Sequence, residues 1–183
     1  PDALLQHYLA AGRRDKVGPL AMDAAEQAVQ SLAYDKAVDL YRTAQTFLPE
    51  AEQLVAQRAL AEALALAGRG LEAAEAFQEL ASTASGVQRI SYLRRGAEQA
   101  LYTGHIERGI RLFDEVLADL GLHAVQEEPS MVRSTAARLW AGVTSPFTRK
   151  SADPMMRERV DACFALSIAL QLLDPRRAAY FHF

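Results

Sequence analysis

The sequence predicts an all-α protein, a right-handed α-α superhelix of stacked helical hairpins with about ten helices. Three observations predict this fold class. Small and apolar residues recur at spacings of three and four, which is the period of one helix face. Glycine, proline and short polar stretches interrupt these segments where helices would end. The whole pattern then returns along the chain at a constant period, which is typical of helical-repeat arrays.

Two helices open the chain, over residues 2–11 and from about residue 16 to residue 31. Asp2 is a suitable N-cap, because its carboxylate can accept hydrogen bonds from free backbone N–H groups of the first turn. Gly12 then provides the left-handed residue that commonly ends a helix. The second helix is rich in alanine, so we expect neighbouring helices to pack closely against it.

The third helix, residues 34–47, carries the pattern around which the rest of the chain is organised. Ala37, Tyr41 and Ala44 place a small, an aromatic and a small residue on one face. Pro49 follows, and proline cannot continue a helix because it lacks a backbone N–H and clashes with the preceding turn. This order is typical of the second helix of a tetratricopeptide-like hairpin.

Four further helices follow in order. The spacing predicts helices over residues 50–67, 71–82, 87–102 and 106–120. In the first of them the apolar face comprises Leu54, Leu60, Ala61, Leu64 and Ala65, so we expect these residues in the core. Gly68 and Gly121 lie directly after two of them and Gly104 lies two residues after a third, where glycine commonly ends a helix. The stretch 82–86 is small and polar, which indicates a loop.

An internal repeat of 36 residues relates these helices, since Ala37, Ala73 and Gly109 occupy corresponding positions. Three copies agree in their turns, in the small residues of their first helices and in the aromatic residues of their second helices. The corresponding residues are Leu32, Gly68 and Gly104; Ala25, Ala61 and Ala97; Tyr41, Phe77 and Phe113; and Ala44, Leu80 and Val116. A tetratricopeptide repeat has about 34 residues, so this repeat is a slightly longer, divergent form.

The register ends after Gly121. We expect residues 1–122 to form tetratricopeptide-like hairpins and residues 123–183 to form a divergent helical continuation of one solenoid domain, truncated at the C-terminus. Helices are predicted there over residues 131–143, 154–173 and 176–183. Residues 162–170 are apolar almost all round, so we expect the second of these helices to be covered on several sides. The chain is expected to be a piece of a longer protein, because it begins without methionine and ends inside the last of these helices.

Composition limits the function classes. A hydrophobic content of 50% over 183 residues is enough for a sizeable core. The net charge of −3 argues against a dedicated nucleic-acid surface. With one cysteine, a disulfide framework cannot form. The chain contains neither an apolar run long enough to span a membrane nor a signal-peptide pattern, so we expect a cytoplasmic protein.

Several runs resemble the helical-repeat region of large bacterial signalling proteins. The runs are QHYLAAG at 6–12, AAEQA at 24–28, AYDKAVDLYR at 33–42, RGAEQAL at 95–101, GHI at 104–106 and LLDPR at 172–176. Those proteins place a serine/threonine kinase domain and an AAA-type ATPase module before the repeats. The resemblance implies that ATP binding and phosphoryl transfer belong to parts of the parent protein outside this chain. Kinase and P-loop motifs are absent from these residues, so no catalytic residue is assigned.

Residues with potential chemistry have simpler structural interpretations. Gly68-Arg69-Gly70 lacks the Lys and Ser/Thr of a phosphate-binding loop, so it is interpreted as a turn that ends a helix. The four histidines lack the spacing of a helical metal site. They are His7, His105, His123 and His182. Cys163 lies among apolar neighbours, which favours a buried, inert thiol. We therefore predict no enzyme activity, no cofactor and no metal.

The leading hypothesis is a protein-interaction or regulatory scaffold whose first helices line the binding side. Its partner would be a protein or peptide, including another domain of the same chain. The candidate contacts are the polar residues of the fourth and sixth helices: Gln57, Arg58, Glu62, Arg94, Arg95 and Gln99. An acidic face of the fifth helix could bind a basic peptide instead. It comprises Glu72, Glu75 and Glu79.

The alternative hypothesis is a sensor of a small-molecule inducer, with its pocket in the region where the repeat ends. Aromatic residues would line that pocket: Trp140, Phe147, Tyr180 and Phe181. A basic stretch in the same region is interpreted as pairing within the chain or with another domain rather than with nucleic acid. Its members are Arg133, Arg138, Arg149, Lys150, Arg157 and Arg159.

Overall fold

The computed structural model describes residues 2–121 and 153–170, and every regular element in those two ranges is an α-helix. The helices are α1 (Asp2–Ala10), α2 (Arg14–Gln30), α3 (Tyr34–Phe47), α4 (Glu50–Leu66), α5 (Gly70–Thr83), α6 (Gly86–Tyr102), α7 (Ile106–Asp119) and α8 (Pro154–Leu170). The all-α prediction is confirmed for these ranges. The helices predicted over 131–143 and 176–183 lie outside the described residues.

The chain divides into two compact units, Pro1–Ser82 and Thr83–Phe183. The first unit contains α1 to α4 and all of α5 except its last residue. The second unit contains α6, α7 and α8. In the second unit, α6 packs against α7, and α8 contacts both of them.

The predicted repeat is visible in the helix boundaries. The first helices of the three copies, α2, α4 and α6, each have 17 residues and begin at positions 14, 50 and 86. The second helices, α3, α5 and α7, each have 14 residues and begin at positions 34, 70 and 106. Both series advance by 36 residues, as the sequence predicted. We call residues 14–49, 50–85 and 86–121 copies one, two and three.

The repeated small and aromatic residues form the core of each copy. Ala25, Ala61 and Ala97 are fully buried, and their small side chains allow the neighbouring helix to approach closely. The aromatic position of the second helix is buried in all three copies. It is occupied by Tyr41, Phe77 and Phe113, which are 5%, 1% and 1% exposed. The columns that define the repeat are therefore also the packing columns.

The turn between the two helices of a copy has the same backbone structure three times. Leu32, Gly68 and Gly104 all have left-handed backbones, with φ values of 59°, 73° and 83°. The next residue in each turn donates its N–H back to the carbonyl five residues earlier. The bonds are Ala33 to Ala28 at 2.8 Å, Arg69 to Leu64 at 2.9 Å and His105 to Ala100 at 2.8 Å. This is the Schellman arrangement, which satisfies carbonyls at a helix end.

Leu32 is the one of these three residues that carries a side chain in the left-handed conformation. For a residue other than glycine, the left-handed conformation costs roughly 1–2 kcal/mol of conformational free energy. Leu32 is 70% exposed, so burial does not offset this cost. We predict that Leu32→Gly raises the free energy of unfolding by about 0.5–1 kcal/mol, after subtraction of the greater freedom of glycine in the unfolded chain. Urea denaturation measures the change.

Gly68→Ala is the matched control for that substitution. A Cβ at Gly68 would meet no atom within 4 Å, so this variant changes backbone strain alone. It should lower stability by about 1 kcal/mol. If Leu32→Gly is destabilising while Gly68→Ala behaves as expected, the exposed leucine contributes contacts that outweigh its backbone strain.

Two packing expectations are corrected. Leu54 is 43% exposed although its spacing placed it in the core, because burial along α4 begins only at Ala56. Helix α8 was expected to be covered on several sides. Among its residues 154–168, three are buried, Ala162, Leu166 and Ser167. Four other apolar side chains in that range are largely open to solvent, and they form the row Met156, Val160, Phe164 and Ile168, 43–60% exposed.

Candidate interaction surface

The six candidate contact residues lie on the first helices of copies two and three. Gln57, Arg58 and Glu62 are on α4, in the first unit. Arg94, Arg95 and Gln99 are on α6, in the second unit. All six side chains are half-buried, which is typical of polar residues that border a core. The structure thus gives two candidate surfaces, one in each compact unit.

On α4, Gln57 contacts the neighbouring acidic helix. Its Nε2 lies 3.5 Å from Oε2 of Glu79 on α5, at the outer limit of a hydrogen bond. Arg58 and Glu62 are four residues apart, a spacing that places opposite charges side by side on a helix. The same pair recurs 36 residues later as Arg94 and Glu98, so this charge pattern belongs to the repeat.

On α6, Arg94 binds two carboxylates of its own chain. Its Nη1 donates to Oε1 of Glu98 at 2.6 Å, and its Nε donates to Oε2 of Glu158 on α8 at 3.2 Å. The three side chains are only 15–20% exposed. Burial acts to lower the pKa of Arg94, but the attraction and hydrogen bonds of Glu98 and Glu158 outweigh it, and its pKa is raised.

This arrangement changes what can be expected of the α6 residues. Arg94 holds α8 on α6, so reversing its charge would disturb packing as well as any partner contact. Arg95 and Gln99 are four residues apart on the same helix. The backbone carbonyl of Gln99 accepts a hydrogen bond from the hydroxyl of Thr103, just beyond the end of α6, at 2.8 Å. A test of partner binding therefore uses positions other than Arg94, namely Arg95 and Gln99.

The acidic face of α5 is partly neutralised within the first unit. Glu72 accepts hydrogen bonds from Arg69 at 2.7 and 2.8 Å and from Arg42 on α3 at 2.7 Å. The hydrogen bond from Arg69 is the main cause that lowers the pKa of Glu72, against an opposing effect of burial, and Arg42 adds to the lowering. Glu79 lies near the side-chain amide of Gln57. Because these carboxylates already have partners within the unit, the α5 face attracts basic peptides less strongly than its sequence indicates.

Two shallow surface cavities lie at the hairpin turns of copies one and three. The first has about 260 Å³ and is lined by Ala24, Gln27, Ala28, Ser31, Ala33 and Lys36. The second has about 360 Å³ and is lined by Gly104, His105, Ile106, Glu107, Arg108 and Arg111. Both are open to solvent, whereas typical ligand pockets bury most of their ligand. The aromatic pocket proposed for a sensor falls on Trp140, Phe147, Tyr180 and Phe181, all outside the described residues.

Gly68-Arg69-Gly70 has the structure predicted for it. Gly68 ends α4 with a left-handed backbone, and Gly70 begins α5, so the segment is a turn between helices. His105 lies in the corresponding turn of copy three, with its Nδ1 3.2 Å from Oγ1 of Thr103. Cys163 is half-buried rather than fully buried. His123 and His182 fall outside the described residues.

Within residues 2–121 and 153–170, no cluster of three or more His, Cys, Asp or Glu side chains could hold a metal ion. In those same ranges, no helix combines the length and the apolar character needed to cross a membrane.

Comparison with known proteins gives no match: neither a protein-family model, nor a curated protein, nor a solved structure is significantly similar to the chain. The resemblance to bacterial signalling proteins therefore rests on the sequence runs alone.

Proposed function

We propose that this chain is a non-catalytic helical-repeat module that binds a protein or peptide partner. The observation that carries the proposal is the threefold recurrence of a 17-residue and a 14-residue helix at a spacing of 36 residues. Repeats of this kind bury their faces against their neighbours and leave a repeated surface for binding. A right-handed superhelix of about ten helices in one solenoid is part of the proposal.

The binding side in this proposal is the exposed part of the first helices. Each compact unit carries one first helix with candidate contact residues, α4 in the first and α6 in the second, so each unit presents its own candidate surface. Gln57, Arg58 and Glu62 would contribute in the first unit, and Arg95 and Gln99 in the second. Half-buried polar side chains suit this role, because their positions are restrained before a partner binds and little entropy is then lost.

The resemblance supplies a specific partner for this proposal. In a bacterial signalling protein with a kinase and an ATPase module, the repeats would bind one of those domains or a protein that regulates them. The module would then act in the cytoplasm as a scaffold or a restraint, without ATP chemistry of its own. Nucleic acid and membrane are not among the proposed partners.

The test is affinity capture with purified chain, first from a lysate of the source organism and then with each other domain of the parent protein. Arg95→Glu should reduce capture of the bound protein about tenfold, the effect of losing one strong interface contact. Arg159→Glu makes the same charge change at an exposed position of α8 and should leave capture unchanged. Far-ultraviolet circular dichroism verifies that both variants keep their helices.

Capture that is equally strong with both variants would reject the α6 side as the contact surface. Absence of any captured protein, from lysate and from the parent's domains alike, would reject the interaction module. Thermal-shift screening with metabolites would then test the sensor alternative.

A further inference from the structure

Copy one lacks an arginine that the other two copies place beside a recurring glutamate. The first helices of all three copies carry this glutamate at the same position. The three residues are Glu26, Glu62 and Glu98. Copies two and three place Arg58 and Arg94 four residues before it, and Arg94 donates to Glu98 at 2.6 Å. In copy one the corresponding residue is Met22, whose thioether cannot pair with a carboxylate.

The Glu26 carboxylate is consequently left open on α2. Glu26 is exposed, and Met22 lies one turn before it on the same side of the helix, half-buried. Among residues 2–121 and 153–170, no side chain forms an ion pair with Glu26 or donates a hydrogen bond to it. The carboxylate can therefore bind a cation from outside the chain without breaking an internal contact.

A buried tyrosine supplies a second polar group at the same place. Tyr41 on α3, which packs against α2, fills the aromatic position that is phenylalanine in copies two and three, and it is 5% exposed. Burial raises the pKa of Tyr41, and the negative charge of Glu26 adds to this rise, so the hydroxyl lies toward Glu26. The hydroxyl has no hydrogen-bond partner in the described part of the chain. Buried tyrosine hydroxyls usually find a partner, so this one is available to a ligand held by Glu26.

The three side chains together suit a guanidinium ion. Its planar set of N–H donors can bond a carboxylate and a neighbouring neutral oxygen at once, whereas an ammonium ion lacks this fixed geometry. The flexible apolar side chain of Met22 offers a contact for the methylene stem of an arginine. The exposed Asp23 adds negative charge to the same face of α2. The chemistry therefore favours arginine over lysine.

We propose that Met22, Glu26 and Tyr41 form a binding site for an arginine side chain of a protein partner. The partner's arginine supplies the charge that copies two and three carry on their own first helices. The inference rests on the proposed interaction function and deepens it, because it states the chemistry of the partner: a segment with an accessible arginine. It also gives a basic partner a place on α2 rather than on the α5 face, where Glu72 is already bonded to Arg42 and Arg69.

The test titrates the full chain with the peptide GSGRGSG and follows the backbone amides of α2 by nuclear magnetic resonance. A second peptide has citrulline in place of arginine, which keeps the shape of the side chain and removes its charge. The arginine peptide should shift these amides saturably and bind about tenfold more tightly than the citrulline peptide, the usual effect of a charge-assisted hydrogen bond. If the arginine peptide does not bind, or binds no better than the citrulline peptide, the inference is overturned.

Two substitutions give copy one the residues of the other copies. Met22→Arg supplies an arginine within the chain, so the site is filled internally and the arginine peptide should bind about tenfold more weakly. Tyr41→Phe removes only the hydroxyl, and the fold accepts phenylalanine at this position in copies two and three, so binding should weaken about fivefold. Unchanged binding in either variant would contradict the proposed site. Circular dichroism verifies that both variants keep their helices.

Glu52→Gln is the matched control for Glu26→Gln. Glu52 is an exposed glutamate of α4 in the same unit, so both variants remove one negative charge. Glu26→Gln should weaken binding of the arginine peptide about tenfold, whereas Glu52→Gln should leave it unchanged. Equal losses would indicate general attraction by the negative chain and would overturn the site. Because the titration needs no natural partner, failed capture from lysate would reject the proposed function without deciding this result.

Discussion

Phe77→Ala is expected to lower the free energy of unfolding by about 3–5 kcal/mol. Phe77 is 1% exposed on α5, in the aromatic position that every copy fills with a large ring. Its removal takes away buried apolar area and leaves a cavity among closely packed helices, which relax only partly around it. Urea denaturation followed by circular dichroism measures the loss.

Leu66→Ala is the control for that experiment. Leu66 is at the end of α4 in the same unit and is 51% exposed, so its truncation should change stability by less than about 0.5 kcal/mol. A loss below about 1 kcal/mol for Phe77→Ala would show that the aromatic column is not the centre of packing.

Gly109→Ala should destabilise the second unit by about 1–3 kcal/mol, although alanine is the better helix former. A Cβ at Gly109 would collide with Cγ of Leu101, and it would lie 2.6 Å from Cδ2 of that residue and 3.1 Å from the carbonyl oxygen of Ala97. Copies one and two have alanine at this position, as Ala37 and Ala73. The corresponding partner of Ala73 is Ala65, which is smaller than Leu101.

A double-mutant cycle tests this explanation. Combining Leu101→Ala with Gly109→Ala rebuilds the Ala65–Ala73 pair of copy two in copy three. In the Leu101→Ala background, Gly109→Ala should become neutral or stabilising by up to about 1 kcal/mol, the propensity difference between glycine and alanine. Strictly additive effects of the two substitutions would mean that Leu101 is not the obstacle.

The repeat, the helix types and the core columns could be predicted from the sequence because each depends on local spacing. Tyr34–Phe47 was predicted with its observed bounds, and the three corresponding turns were predicted from the shared position of Leu32, Gly68 and Gly104. The exposure of Leu54 could not be predicted in this way. A helical period identifies an apolar face, but where along a helix the neighbour begins to cover that face depends on tertiary packing.

The candidate surface was less predictable. The Arg94–Glu98 pair has a spacing of four residues and could have been read from the sequence. Glu158 is 64 residues from Arg94, so no local pattern joins them. The contact of Arg42 with Glu72, 30 residues apart, was hidden for the same reason. A long charged side chain can reach several possible partners, and the one that it binds depends on which helices pack against each other.

The tight contacts around glycine have a consequence for how this protein can be altered. Gly18 allows Leu48 to approach, with a hypothetical Cβ 3.0 Å from the Leu48 side chain, and Gly109 does the same for Leu101. Each pair lies within one copy, residues 14–49 or 86–121. Exchanging a single residue between copies would therefore separate a glycine from the leucine that packs against it, as Gly109→Ala does. A whole 36-residue copy keeps both members of such a pair together, so it is the natural segment for duplication or transplantation.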